Sequence, residues 1–184
     1  IQATFLLDWS WAIQGSPQLE WIEPRHQGDK RVLPLASGPA DEESRGLLIF
    51  LEAIRSARKR LWIATPYFIP DDAITSALKL AVLRGVDVRI LLPNKPDHFL
   101  VWLASFFYLP DLVHSGVKFL RYQAGFMHQK VMLVDDNLSA VGTANLDNRS
   151  LKLNFEITVF VADHAFNQVV SEMLERDFAN SQLE

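Results

Sequence analysis

Short apolar runs alternate with helix-length segments through most of this chain, and that alternation decides its fold class. Leu61-Trp62-Ile63-Ala64, Val86 to Leu92, Val117 to Tyr122, Lys130 to Val134, Ala140-Val141 and Glu156 to Val161 each read as a strand of a largely buried sheet. The segments between them read as helices. Leu47, Leu48, Leu51 and Ile54 recur at helical spacing, with Asp41, Glu42 and Glu43 at the start and Arg58-Lys59-Arg60 at the close. Asp71 or Asp72 caps a second helix that turns Ile74, Leu78 and Ala81 inward and ends at Gly85. Phe99, Trp102, Leu103, Phe106 and Phe107 share a face of a third, interrupted near Pro110, and a last helix runs from about Asp163 to Phe178. The expectation is an α/β domain: a mixed, largely buried β-sheet covered by helices on both faces.

The flanks differ. Residues 1 to 12 suit a short amphipathic helix carrying Phe5, Leu6 and Trp9, whereas Pro17, Pro24, Gly28 and Pro34 give the stretch from Gly15 to Gly38 the composition of a linker. The chain opens at Ile1 without an initiator methionine and reads as a piece of something longer. It has no cysteine, which excludes disulfides and thiolate metal sites. The net charge is -4 with no basic stripe, which argues against a nucleic-acid partner, because such binders draw most of their affinity from phosphate contacts. No apolar run reaches the roughly 18 residues that a bilayer span needs.

Chemistry concentrates in His128-Gln129-Lys130 with Asp135 five residues on, followed by Gly142-Thr143-Ala144-Asn145. On a strand His128 and Lys130 would point to one face. The ammonium is a point charge for a phosphate oxygen, and the imidazole can attack phosphorus or move a proton. Gly142 permits close backbone approach, Thr143 and Asn145 add neutral donors, and Glu156 is a carboxylate placed to hold one imidazole nitrogen. Taken singly, each has an ordinary structural reading; a lone His in a strand is usually just that. The joint pattern is more specific.

The spacing His-x-Lys-x4-Asp-x6-Gly-Ser/Thr-x-Asn resembles the signature of the phospholipase D superfamily, filled here by His128, Lys130, Asp135, Gly142, Thr143 and Asn145. Within it, Thr65-Pro66-Tyr67-Phe68-Ile69-Pro70, Arg84 to Pro93, and Gly142 to Leu151 continuing to Asn154-Phe155-Glu156 resemble the bacterial cardiolipin synthases. The resemblance implies a phospholipase-D-like domain, the second of two sharing one active site. Residues 1–36 would be the tail of the first domain and a linker, 37–180 the catalytic domain and 181–184 a tail. It implies phosphatidyl transfer between two phosphatidylglycerol molecules through a phosphatidyl-histidine intermediate, at a bacterial cell membrane, with no cofactor and no metal. It gives His128 the acid/base role, makes Lys130, Thr143 and Asn145 the phosphate binders, and counts Asp135 with the motif. Asp135 lies across the sheet plane from His128 and is read as structural support.

Rival readings are a phospholipase D or phosphatidylserine synthase, a nuclease of the same superfamily, a non-catalytic membrane-binding module, and a metal phosphoesterase. The last is opposed by the absence of a second His/Asp cluster with ligand spacing. Phe99 to Leu109 is either a core helix or a surface for lipid. His26 and His164 are taken as structural, and His98 and His114 as surface or helix-end residues.

Overall fold

A computed structural model of the chain describes residues 1–20, 22, 23, 28–95, 97 and 99–184, and the side chains of all of these but Phe99 and Val101. The expectations for Pro24, His26, His98 and the Phe99 side chain lie outside the described residues. Two units are present, Ile1–Lys30 and Arg31–Glu184. The first holds α1 (Gln2–Ile13), which stacks Phe5 on Trp9 at 5.8 Å and buries none of its residues.

The second unit runs β1 (Arg31–Ser37), α2 (Arg45–Ser56), β2 (Arg60–Ala64), β3 (Phe68–Ile69), α3 (Asp72–Leu83), β4 (Asp87–Pro93), α4 (Phe99–Ser105) and α5 (Leu109–His114). It continues with β5 (Lys118–Tyr122), β6 (Val131–Val134), β7 (Leu138–Gly142), β8 (Leu146–Asp147), α6 (Asn148–Lys152), β9 (Glu156–Ala162), α7 (His164–Ala179) and β10 (Ser181–Leu183). Eight strands form one mixed sheet in the order β1-β9-β7-β6-β2-β4-β5-β10, and β3 pairs with β8 apart from it. Neighbours β2, β4 and β5 are parallel; every other pair in the large sheet is antiparallel.

Helices cover both faces, so strand residues of either parity are buried. Leu61, Ile63, Ile90, Met132 and Val134 pack toward α2, α3 and α5, in a cluster with Ile54, Ile74, Leu78 and Leu112. Trp62, Leu91, Val131 and Leu133 pack on the opposite side with Val170, Leu174 and Phe178 of α7. Asp71 caps α3 by accepting the Ile74 N–H at 2.9 Å, and Asp163 caps α7 by accepting that of Phe166 at 2.8 Å.

Three expectations need correction. The stretch read as linker up to Gly38 becomes strand at Arg31, so the domain begins before residue 37. Pro34 is tolerated because β1 is an edge strand with β9 as its one neighbour. The supposed tail is β10, antiparallel to β5, and the Glu184 carboxylate pairs with the buried Arg121 guanidinium at 2.6 Å. Asp41, Glu42 and Glu43 precede α2, which starts at Arg45, because the Asp41 carboxylate accepts the Gly38 N–H at 3.1 Å and holds a turn there. Arg58, Lys59 and Arg60 likewise lie beyond α2, whose last residue is Ser56.

Asp135 explains how that last loop is fixed. At the far end of β6 its carboxylate accepts the backbone N–H groups of Arg58, Lys59 and Arg60 at 2.7 to 3.1 Å. Its backbone takes a left-handed φ of 50°, a conformation Asp tolerates better than most residues. Asp135→Ala removes a charged acceptor shared by three donors and places alanine at positive φ. It should cost about 2–3 kcal/mol and lower the melting temperature by roughly 5–10 °C. Asp135→Asn should fall between the two; thermal unfolding showing Asp135→Ala as stable as the parent would refute this anchoring role.

Candidate active site

The start of β6 meets the carboxyl ends of β2 and β4, because β6 runs antiparallel to β2 while β4 runs parallel to it. The end of β7 and the start of β9 reach the same place, through the pairings Val131↔Val141 and Gly142↔Thr158. Open α/β sheets bind their ligands in the crevice beyond the carboxyl ends of parallel strands. His128, Lys130, Thr143, Asn145 and Glu156 all sit at this end of the sheet, while Asp135 sits at the other.

His128 and Lys130 stand just before β6 and not within it; the strand opens at Val131. The backbone is already committed there, since the Lys130 carbonyl accepts the Gly142 N–H at 3.2 Å. The exposed His128 ring stacks on Phe126 (centroids 5.4 Å apart, 27° between planes) and meets the Tyr67 ring edge-on at 6.1 Å. The expected hydrogen bond from the His128 ring to the Glu156 carboxylate is not made among the described residues. The Glu156 carboxylate instead accepts from Asn154 Nδ2 at 3.1 Å.

Lys130 is the electrostatic centre. Its Nζ donates to the His128 carbonyl at 2.8 Å, which ties the two motif residues together. Burial holds its pKa below that of an ordinary lysine, and the carboxylates of Glu156, Asp97 and Asp147 act in the opposite direction, favouring the charged form. Asp147 is itself buried and pushed above the usual carboxylate range by desolvation; the Ser150 and Arg149 N–H groups oppose that, and Glu156 adds to it. Tyr67 donates to Asp97 at 2.5 Å, and burial, followed by that bond, pushes its phenol up to about 12. It is therefore a neutral donor at any physiological pH.

The two expected neutral donors are engaged in holding the loop. Thr143 Oγ1 accepts the Ile157 N–H at 2.9 Å. Asn145 Nδ2 donates to Ser150 Oγ at 3.1 Å, leaving its buried Oδ1 without a partner. Thr65, buried at the end of β2, donates to the Tyr67 carbonyl at 2.9 Å and accepts the Leu146 N–H at 3.2 Å, which brings the Tyr67 segment onto the motif loop.

Tyr67, Asp97 and Asp147 were not singled out from sequence as site residues. Tyr67 and Asp147 lie inside stretches that resemble the family, so a signal existed. Asp97 sits in a short polar loop with none. His114 ends α5 and is exposed, as expected of a helix-end residue; His164, read as structural, opens α7 and is exposed as well. No group of three or more His, Cys, Asp or Glu positioned to hold a metal ion occurs among the described residues.

The mixed sheet covered by helices, with an imidazole and an ammonium standing beyond its parallel strands, is a phospholipase-D-like fold. The chain belongs to the family of cardiolipin synthase phospholipase-D-like domains, whose model matches residues 50–178. It is 54% identical over 180 residues to cardiolipin synthase A of Pseudomonas entomophila (strain L48), and 50% identical over 182 residues to that of Pseudomonas aeruginosa (strain LESB58). These alignments cover 97% and 98% of this chain, yet the chain spans 37% of the length of each relative. Among solved structures, the phospholipase D family member Nuc of Salmonella typhimurium shares the fold at a TM-score of 0.71 and 22% identity, over 85% of this chain and 99% of that one. Phosphatidylserine synthase of Haemophilus influenzae shares it at 0.64 and 19% identity, over 83% of this chain and 40% of that one.

Gly142 gives the site a structural test. A Cβ there would lie 2.4 Å from the Ile157 carbonyl oxygen and 2.5 Å from Thr158 Cα, both backbone atoms of β9. Gly142→Ala should therefore pry β7 from β9 and destabilise the domain by about 2 kcal/mol or more. Denaturant unfolding would measure this; an unchanged midpoint would contradict the close approach.

Proposed function

We propose that this chain supplies half of the active site of a bacterial cardiolipin synthase, moving a phosphatidyl group from one phosphatidylglycerol to the terminal hydroxyl of a second. The observation that carries the reading is the tied pair His128–Lys130 beyond the parallel strands, in a chain 54% identical to proteins named cardiolipin synthase A. The rest of the catalytic machinery, including a second histidine, belongs to the first phospholipase-D-like domain of the full protein.

In this reading one imidazole attacks phosphorus and the phosphorus–oxygen bond to glycerol breaks. The other imidazole, here His128, delivers a proton to that oxygen and later removes one from the acceptor hydroxyl. Charge gathers on the nonbridging oxygens, where Lys130 stabilises it. Asn145 can serve them too: a half-turn of its amide, with the Ser150 hydroxyl donating to Oδ1, frees Nδ2 for a phosphate oxygen. Thr143, whose hydroxyl holds Ile157, acts on the phosphate by fixing the loop.

The substrate is a lipid, and the surface near the site suits one. Leu100 and Phe107, at 77% and 82% exposure, lie in and just after α4, which begins two residues after Asp97. That face would meet the membrane, with the full protein at the bacterial cell membrane. No helix among the described residues is long and apolar enough to cross it.

His128→Ala in the full-length enzyme should lower cardiolipin formation from phosphatidylglycerol vesicles by at least about 100-fold. Its melting temperature should not change, since the ring is exposed; near-normal turnover by the folded variant would defeat the proposal. Glu156→Gln tests the electrostatic role. Lys130 is cationic below its pKa, and Glu156 raises that pKa, so removing the charge lowers it and the cation is lost at lower pH. The alkaline limb of the pH–rate profile should shift toward acid, with a few-fold loss at neutral pH; a limb that stays in place would refute the coupling.

A further inference from the structure

Tyr67 reaches the reaction centre in two ways. Its ring meets that of His128 edge-on, with centroids 6.1 Å apart, and its hydroxyl donates to the Asp97 carboxylate at 2.5 Å. Asp97 in turn acts on the Lys130 ammonium. One residue outside the motif thus bears on both of its charged members, on His128 by contact and on Lys130 through a carboxylate. The backbone that carries Tyr67 is fixed. Thr65 donates to the Tyr67 carbonyl at 2.9 Å, and the following Phe68 is buried against Phe119 and pairs with Leu146 of β8.

Asp97 is exposed and lies outside any helix or strand, between β4, which ends at Pro93, and α4, which begins at Phe99. A carboxylate so placed would ordinarily turn into water, where its influence on an ammonium is screened. The bond from Tyr67 sets where it points instead. Hydrogen bonds to an ionised acceptor are the short, strong kind, and 2.5 Å is such a length. Burial and this bond push the phenol up to about 12, so it goes on donating while a lysine titrates. Lys130 is also faced by Glu156 of β9, by Asp147 of β8, and by His128, whose carbonyl it holds. Both of those carboxylates are placed by strands; that of Asp97 is placed by a side-chain bond.

We propose that Tyr67 and Asp97 are positioning residues of the transfer reaction: the phenol holds the carboxylate toward Lys130 while its ring bounds the His128 imidazole. The inference rests on the transfer reading given above. Neither residue exchanges a proton with the lipid. The ring limits how the imidazole can turn, and the carboxylate favours the charged lysine against its burial. Lys130 is cationic below its pKa, and Asp97 raises that pKa. Releasing Asp97 therefore lowers it, and the cation is lost at lower pH. A bond that only fastened the segment before α4 would alter stability and leave this titration where it was.

The test is the pH–rate profile of the full-length enzyme on phosphatidylglycerol vesicles, with glycerol and cardiolipin both measured. Tyr67→Phe keeps the ring and deletes the bond. Its alkaline limb should move toward acid; below the limb, where Lys130 is charged in either protein, the rates should agree within roughly 3-fold. Asp97→Asn, at an exposed position that puts no fold at risk, should move the limb the same way. Because both act through one carboxylate, the double variant should shift it no further than Asp97→Asn alone. Tyr67→Leu removes the ring as well and should lower kcat about 10-fold at every pH on top of that shift, with KM little changed. Limbs that stay in place in both single variants would overturn the proposal, whatever happens to the melting temperature, and so would shifts that add in the double variant. Tyr67→Leu matching Tyr67→Phe would overturn the ring's part. A parent enzyme that releases no glycerol and forms no cardiolipin would instead overturn the transfer reading itself.

Discussion

Strand β6 has a neighbour on each edge and helices over each face, and this enclosure governs where the chemistry can sit. Val131, Met132, Leu133 and Val134 are all buried, alternately toward the two sides of the sheet. A charged residue at any of the four would be desolvated without a partner. The polar residues of the motif are therefore expelled to the two ends. Lys130 stands immediately before the strand and Asp135 immediately after it, so the four-residue gap in the motif is the buried strand itself. One end carries the candidate site; the other holds a loop through three backbone N–H groups. Motif membership thus groups two unlike tasks, joined only by the strand between them.

Charge at the ligand end is unbalanced in an informative way. One ammonium, Lys130, is attended by Glu156, Asp97 and Asp147. Burial would push it toward neutrality, and the carboxylates keep it charged. The same carboxylates repel an incoming phosphate, so Lys130 alone leaves a lipid phosphate poorly compensated. Arg149 reduces the conflict, since its charge opposes that of the Asp147 carboxylate. In a two-domain enzyme a second lysine from the other motif would complete the balance. The carboxylates then act chiefly to preserve the cation against its burial.

Strands β2, β4, β5, β6, β7 and β9 were legible in sequence because a sheet buried on both faces demands continuous apolar runs. The helix start at Asp71 was legible because a capping carboxylate has a fixed offset from the N–H it accepts. What escaped has physical causes. The strand at 31–37 hid behind Pro34, a residue that reads as a breaker unless the strand is known to lie at an edge. The 181–183 strand is polar and pairs along one side only, so no periodicity betrays it. The motif residues were legible from their spacing, and their partners were not. The asparagine two residues before Glu156 takes the carboxylate that was expected on His128, a competition between neighbours that no spacing rule contains.

That substitution of partners bears on how His128 can work. A catalytic imidazole needs its orientation set and its tautomer set, and the two are separable. Orientation is supplied here by apolar surfaces: the flat stack on Phe126 and the edge of Tyr67 limit the ring's rotation without engaging either nitrogen. Tautomer selection requires a hydrogen bond to one nitrogen, and no described residue of this chain makes one. In the proposed two-domain reading, that bond would come from a group that arrives with the substrate or with the facing domain. A histidine prepared in this way would be oriented by its own chain but chemically defined only once the site is assembled. An unassembled half-site would thus lack the fixed proton position that general acid catalysis needs, which disfavours hydrolysis of membrane lipid by a lone domain.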